Sequence, residues 1–130
     1  MNTKEGISII KILIVDDDLE ILFLYQKMIE YIGFEVIGVA NDGDEAVELY
    51  RCFKNKPDII LMDHRMPKKN GLEATKEILN IDCSTKIIFT SADVSIKDEA
   101  LAIGAVSFKQ KPFSIENLKN NILKVIDLIQ

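Results

Sequence analysis

Two runs of four apolar residues, Ile12-Leu13-Ile14-Val15 and Ile59-Ile60-Leu61-Met62, break off directly into carboxylates: Asp16-Asp17-Asp18 after the first and Asp63 after the second. An apolar run of this length without polar alternation reads as a strand covered on both faces, the kind found in parallel sheets flanked by helices. In open sheets of that class, ligands bind in the crevice outside the carboxyl ends of the strands. The two acidic groups are therefore expected to meet in space. Two like charges about 4 Å apart repel by roughly 4 kcal/mol at the effective dielectric of a protein surface, so a positive partner is expected among them.

The rest of the chain repeats the alternation. Strand patterns lie near Ile9 to Val15, Glu35 to Val39, Asp58 to Met62, Lys86 to Thr90 and Ala105 to Lys109, with helix patterns between them. Five such pairs argue for βαβ units and an α/β fold built on a parallel sheet. The first helix is expected over Leu19 to Ile32, capped by Asp18 and stopped by Gly33, with Ile21, Leu24, Tyr25, Met28 and Ile32 as its core stripe. On that spacing Phe23 falls opposite the stripe and Leu22 at its edge. The second helix should run from about Asp44 to Phe53, the third from near Gly71, and the fourth from Val94 to Ile103, ending at Gly104. The last begins behind Ser114 and faces the sheet with Ile115, Leu118, Ile122, Ile126 and Ile129, leaving Leu128 off the stripe.

Length and composition narrow the class. With 130 residues, 48% hydrophobic and 28% charged, the chain has the size and balance of one globular domain over residues 1–130, and no tract within it reads as an effector domain. The formal charge of −5 and the scattered Lys and Arg give no electrostatic footprint for nucleic acid. No apolar run approaches the roughly 18 residues of a membrane span, and Cys52 and Cys83 lack metal-site spacing, as expected of reduced thiols in a cytoplasmic protein.

Four of the five strand ends carry polar residues: Asp16-Asp17, Asp63, Ser91 and Lys111-Pro112. These are the parts of a phosphoryl-transfer site. Paired carboxylates can hold Mg²⁺, which prefers oxygen ligands. With charge compensated, Asp63 can attack phosphorus as a nucleophile, while the Lys111 ammonium and the Ser91 hydroxyl would stabilise the oxygens of the transferring group.

In this set the chain resembles the receiver domain of two-component response regulators. The resemblance rests on Val15-Asp16-Asp17, Asp63-His64-Arg65-Met66-Pro67, Gly71, Ser91-Ala92, Gly104-Ala105 and Lys111-Pro112-Phe113, in the family's order and at about its spacing. It implies a flavodoxin-like (βα)5 fold with sheet order 2-1-3-4-5. It implies Asp63 as the phosphoacceptor, Asp17 as a direct Mg²⁺ ligand, Asp16 as a ligand mainly through water, and the Arg65 backbone carbonyl in the metal shell, with Mn²⁺ as a substitute ion. The Lys111-Pro112 bond is expected to be cis, which favours Lys111 over Lys109 as the site lysine. Ser91 and Phe108 would form the switch, and Arg65 and Asp93 would tune dephosphorylation as an ion pair at the mouth. The implied partners are a histidine kinase or histidine phosphotransfer protein, which often docks on the first helix, where Phe23 lies, and a downstream target. That target would meet the fourth helix, fifth strand and fifth helix. The protein would be a monomer or a weak phospho-dependent dimer, a signalling module rather than an enzyme with an independent substrate. His64 is expected to line the mouth, and Lys109 to be a solvated charge.

Other functions fit less of the chain. A haloacid dehalogenase-type enzyme would use Asp16-Asp17-Asp18 as its nucleophile motif, but needs a further acidic pair at a strand end after its lysine, where only helical Glu116 and Asp127 follow Lys111. A flavodoxin would want a Ser/Thr/Gly-rich phosphate loop after the first strand, where this chain places carboxylates. A receiver-like interaction protein that is never phosphorylated would have no need of Asp17, Asp63 and Lys111 together.

Overall fold

The computed structural model describes residues 3–4 and 7–129. A short antiparallel ribbon, Thr3–Lys4 against Ile7–Ser8, precedes the main sheet. The main sheet has five parallel strands: β1 (Lys11–Val15), β2 (Glu35–Ala40), β3 (Ile59–Asp63), β4 (Lys86–Ser91) and β5 (Ser107–Gln110), in the order β2-β1-β3-β4-β5. The helices are α1 (Leu19–Ile32), α2 (Gly43–Cys52), α3 (Gly71–Ile81), α4 (Lys97–Ala102) and α5 (Ile115–Ile129). The expected α/β fold and its 2-1-3-4-5 order are both present.

Strand alternation sorts the core into two layers. Leu13, Val15, Ile60, Met62, Ile87 and Phe89 pack toward α2, α3 and α4, while Ile12, Ile14, Ile59, Leu61 and Ile88 pack toward α1 and α5. The central strands are buried on both sides, which is why they read as unbroken apolar runs rather than alternating ones. Asp58 clips the start of β1, its carboxylate accepting from the Lys11 N–H at 2.8 Å while its own N–H donates to the Lys11 carbonyl at 2.8 Å.

The helix ends follow local chemistry. Asp18 caps α1, its side chain accepting from the Glu20 and Ile21 N–H groups, and Gly33 ends the helix at φ 110°, in the left-handed region that favours glycine. Asn70 and Glu73 form a reciprocal capping box at the start of α3.

The buried stripe of α1 differs from the expected one. It is Leu22, Tyr25 and Ile29, while Leu24 is 50% exposed. So many positions of this helix are apolar that periodicity alone allows two phases, and packing against the sheet and α5 selects between them. On α5 the buried residues are Leu118, Ile122 and Val125, and Ile129, the last residue of the helix, is 36% exposed. Phe23 and Leu128 are both exposed, as their off-stripe positions suggested.

The fourth helix is shorter than expected. Asp93 accepts from both the backbone and the hydroxyl of Ser95, opening a 3₁₀ turn over Val94–Ile96 before α4 begins at Lys97. Strand β5 starts at Ser107 rather than Ala105, because the Ala105 N–H is used to close α4 on the Ala100 carbonyl.

Candidate functional site

The register of the central strands builds the site. Val15 pairs with Met62, so the residues that follow, Asp16 and Asp63, emerge side by side. Asp63 pairs with Thr90, and Ser91 with Gln110, which places Ser91 and the β5 exit next along the same edge. Two close approaches hold the loop after β3. The Gly71 N–H donates to the His64 carbonyl at 2.9 Å, and a Cβ on Gly71 would collide with the Asp63 carbonyl. Glycine is required there by proximity.

The result is a cleft of about 700 Å³ lined by Asp16, Asp17, Asp18, Ile21, Asp63, Arg65, Ser91, Ala92, Asp93 and Lys111. Carboxylate oxygens of Asp16, Asp17 and Asp63 lie within 4.8 Å of one another. Asp16 and Asp63 are buried, whereas Asp17 faces solvent. Three carboxylates so grouped are the donor chemistry of a hard divalent cation, so the residues present fit Mg²⁺. Asp18 turns away to cap α1, and its N–H donates to Asp16 at 3.0 Å.

Lys111 reaches into this cluster from the loop after β5. Its Nζ lies 2.6 Å from Asp16 Oδ2 and 3.2 Å from Asp63 Oδ1, and the Lys111-Pro112 bond is cis. Burial opposes its charge, but the Asp16 hydrogen bond and the charges of Asp63 and Asp16 outweigh it and hold the ammonium above the ordinary lysine value. Burial pushes the Asp63 carboxyl up to about 6; Lys111 pulls it down and the Asp16 charge adds to the rise. Asp63 is therefore still mainly ionised at neutral pH. Lys109 is not among the residues lining the cleft, and sits half-buried beside α5.

At the mouth, Arg65 Nη2 lies 3.1 Å from Asp93 Oδ2. The Asp93 carboxyl is held down to about 2, first by the Ser95 hydroxyl and N–H and then by Arg65. Ser91 is buried and its Oγ accepts from the Asp93 N–H at 3.0 Å, leaving the hydroxyl proton available for donation. Phe108 is half-buried on the edge strand and packs on the core layer of α3 and α4.

His64 departs from its expected place. It does not line the cleft; strand alternation turns it to the opposite layer, where its ring centroid lies 6.1 Å from that of Phe89 and its buried Nδ1 has no hydrogen-bond partner among the described residues. Burial, helped by the Arg65 charge, holds its pKa below the usual histidine value.

One neighbour of the site reads in the sequence as core packing alone. Tyr25 of α1 is 5% exposed, with its ring centroid 6.0 Å from Lys111 Nζ and 5.1 Å from the ring of Phe113. Burial pushes its phenol up to about 12, with Lys111 acting against the rise and Asp16 and Asp63 adding to it. The signal in the sequence is an aromatic residue in an expected stripe otherwise made of Ile21, Leu24, Met28 and Ile32.

Known proteins resemble this chain in sequence and fold. The response regulator receiver domain family matches residues 12–123. The chain is 41% identical over 117 residues to a chemotaxis protein CheY of Thermotoga maritima, covering 88% of this chain and 96% of the relative. It is 36% identical over 119 residues to CheY of Bacillus subtilis, covering 90% of this chain and 98% of the relative. Among solved structures, the complex of CheX with CheY, BeF₃ and Mg²⁺ from Borrelia burgdorferi has a chain with TM-score 0.87 and 28% identity, covering 90% of this chain and 89% of that one. The matched span takes in the four strand ends that form the cleft, and the chain belongs to the response regulator receiver domain family.

Proposed function

We propose that this receiver domain takes a phosphoryl group onto Asp63 and relays the event to a partner through its surface. The observation that carries the reading is the joint placement of Asp63, Asp16 and Asp17 around one point, with the Lys111 ammonium 3.2 Å from the Asp63 carboxylate. The side chains of Asp16, Asp17 and Asp63 and the backbone carbonyl of Arg65 would hold Mg²⁺, or Mn²⁺ in its place, Asp16 chiefly through water. The bound ion would supply neutralisation of the carboxylates and of the phosphoryl oxygens.

The chain's own groups do the rest. An Asp63 oxygen attacks phosphorus; the new P–O bond forms as the bond from phosphorus to a donor histidine nitrogen, or to a small acyl phosphate oxygen, breaks, and the donor keeps that electron pair. Lys111 meets the growing charge on one equatorial oxygen, and the Ser91 hydroxyl donates to another. Arg65 and Asp93 cross the mouth and restrict the water that would hydrolyse the product.

The donor is a histidine kinase or histidine phosphotransfer protein, docking on α1, where Leu19, Phe23 and Leu24 are exposed. A downstream target reads α4, β5 and α5, with Ser91 and Phe108 as the switch. Among the described residues no helix is long and apolar enough to cross a membrane, in keeping with a cytoplasmic site of action.

The test is intact mass after incubation with Mg²⁺ and acetyl phosphate. A single phosphoryl adduct is expected on the wild type, absent with EDTA and absent from Asp63→Asn. No adduct, or an equal adduct on the variant, overturns the reading.

A further inference from the structure

We propose that Tyr25 is a positioning residue for Lys111, its buried ring holding the ammonium in place between Asp16 and Asp63 while bracing the loop behind it through Phe113. The inference rests on the phosphoacceptor reading and adds to it a residue on α1. Lysine carries its charge on a flexible four-carbon stem, so a lysine that must meet a transferring group needs something other than its own backbone to aim it.

Three contacts surround this ammonium: Asp16 Oδ2 at 2.6 Å, Asp63 Oδ1 at 3.2 Å and the Tyr25 ring centroid at 6.0 Å. The carboxylates attract it but do not choose between themselves, and Asp16 has the shorter contact. The aromatic face lies within the range at which a cation is drawn to a ring quadrupole. The same ring lies 5.1 Å from Phe113, tilted by 31°, and Phe113 is two residues beyond Lys111. Tyr25 therefore contacts both the head of the lysine and the chain segment that carries it. The other buried positions of the stripe, Leu22 and Ile29, are aliphatic, so burial alone does not call for an aromatic ring here.

The experiment compares wild type, Tyr25→Phe and Tyr25→Leu in initial rates of phosphorylation against acetyl phosphate concentration at saturating Mg²⁺. Tyr25→Leu should lower the maximal rate about fivefold, with little change in half-saturating donor, and Tyr25→Phe, which keeps the ring, should restore it. The second readout is the NMR shift of the Lys111 Hε protons in the unphosphorylated protein. These should be moved upfield by the ring in wild type and Tyr25→Phe, and should relax downfield in Tyr25→Leu, a change that general loosening of the core would not produce. Should Tyr25→Leu not fold, Phe113→Leu removes the brace with Tyr25 in place and carries the same expectation for rate. A Tyr25→Leu protein, or in its place Phe113→Leu, that labels at the wild-type rate overturns the proposal, as do Lys111 Hε shifts unchanged in Tyr25→Leu. A wild type that takes no phosphoryl group overturns the parent reading instead, and the NMR arm still reads the Tyr25–Lys111 contact.

Discussion

Arg65 and Asp93 show how much an exposed ion pair can contribute. Asp93 is already organised by Ser95, whose hydroxyl lies 2.6 Å and whose N–H lies 3.0 Å from Oδ1, so the guanidinium adds a third contact to a fixed carboxylate. The Arg65 side chain is 79% exposed, and pairs in that setting are screened by water and salt. Their effect on phosphoryl lifetime should be correspondingly modest. Arg65→Ala is expected to speed loss of the phosphoryl group about two- to fivefold, read as decay of the intact-mass adduct after donor removal. An unchanged decay would mean that the pair does not restrict the attacking water. Most of these placements were legible: Asp63, Lys111 and Ser91 stand at the strand ends where spacing put them, and Arg65 and Asp93 form the ion pair that the family resemblance implied. Tyr25 and His64 were not, because which layer a side chain enters depends on the register of its element.

At the level of elements, α2 is tied to the lower edge of the sheet by a small polar network. The Tyr50 hydroxyl lies 2.8 Å from Thr85 Oγ1 and 3.2 Å from the Asp82 carbonyl, to which it donates, while Thr85 donates to the Pro57 carbonyl at 2.8 Å. Burial raises the Tyr50 pKa above 10.0, with Thr85 acting against the rise. The unfolded phenol therefore ionises first as pH rises. The stability that this group contributes is complete below pH 10 and falls away as pH climbs through 10 toward the higher folded value. Tyr50→Phe should cost about 1 kcal/mol at pH 7 by loss of the hydroxyl's bonds, and should lose less of its Tm than the wild type between neutral pH and pH 11. Equal alkaline slopes in thermal melts of the two proteins would count against it. Element types were legible for the main sheet and its five helices but not for the short ribbon that precedes them; limits and phases were less so. The Asp93–Ser95 contacts shortened α4, and a helix apolar on more than one face left the burial phase of α1 to its neighbours.

Across the whole molecule, the site and the proposed output face share one strand edge. The Lys111 N–H donates to the Ser91 carbonyl at 2.9 Å, and Phe89 is paired with Phe108, so β5 is bonded along its length to the strand that ends in the switch hydroxyl. Phe108 is half-buried on that strand and packs against the layer of α3 and α4, so a change in its packing would be felt at α4. A coupling of about 1 to 3 kcal/mol between phosphate and one packing of this ring would be enough to switch a partner surface. Phe108→Ala should label at a rate within about twofold of wild type, yet lose most of the amide shift changes that BeF₃ and Mg²⁺ induce over α4, β5 and α5 in wild type. Undiminished shift changes would remove Phe108 from the switch. The sequence by itself determined the alternating architecture, the strand ends that bear charge and the chemical types gathered there, because burial on both faces and helix periodicity are local properties of the chain. Only the tertiary structure decided which face of α1 is buried, that His64 turns away from the cleft, and that an aromatic ring lies beside the site lysine. Those outcomes depend on strand register and on which helices share a layer, and both are set by contacts between residues distant in the chain.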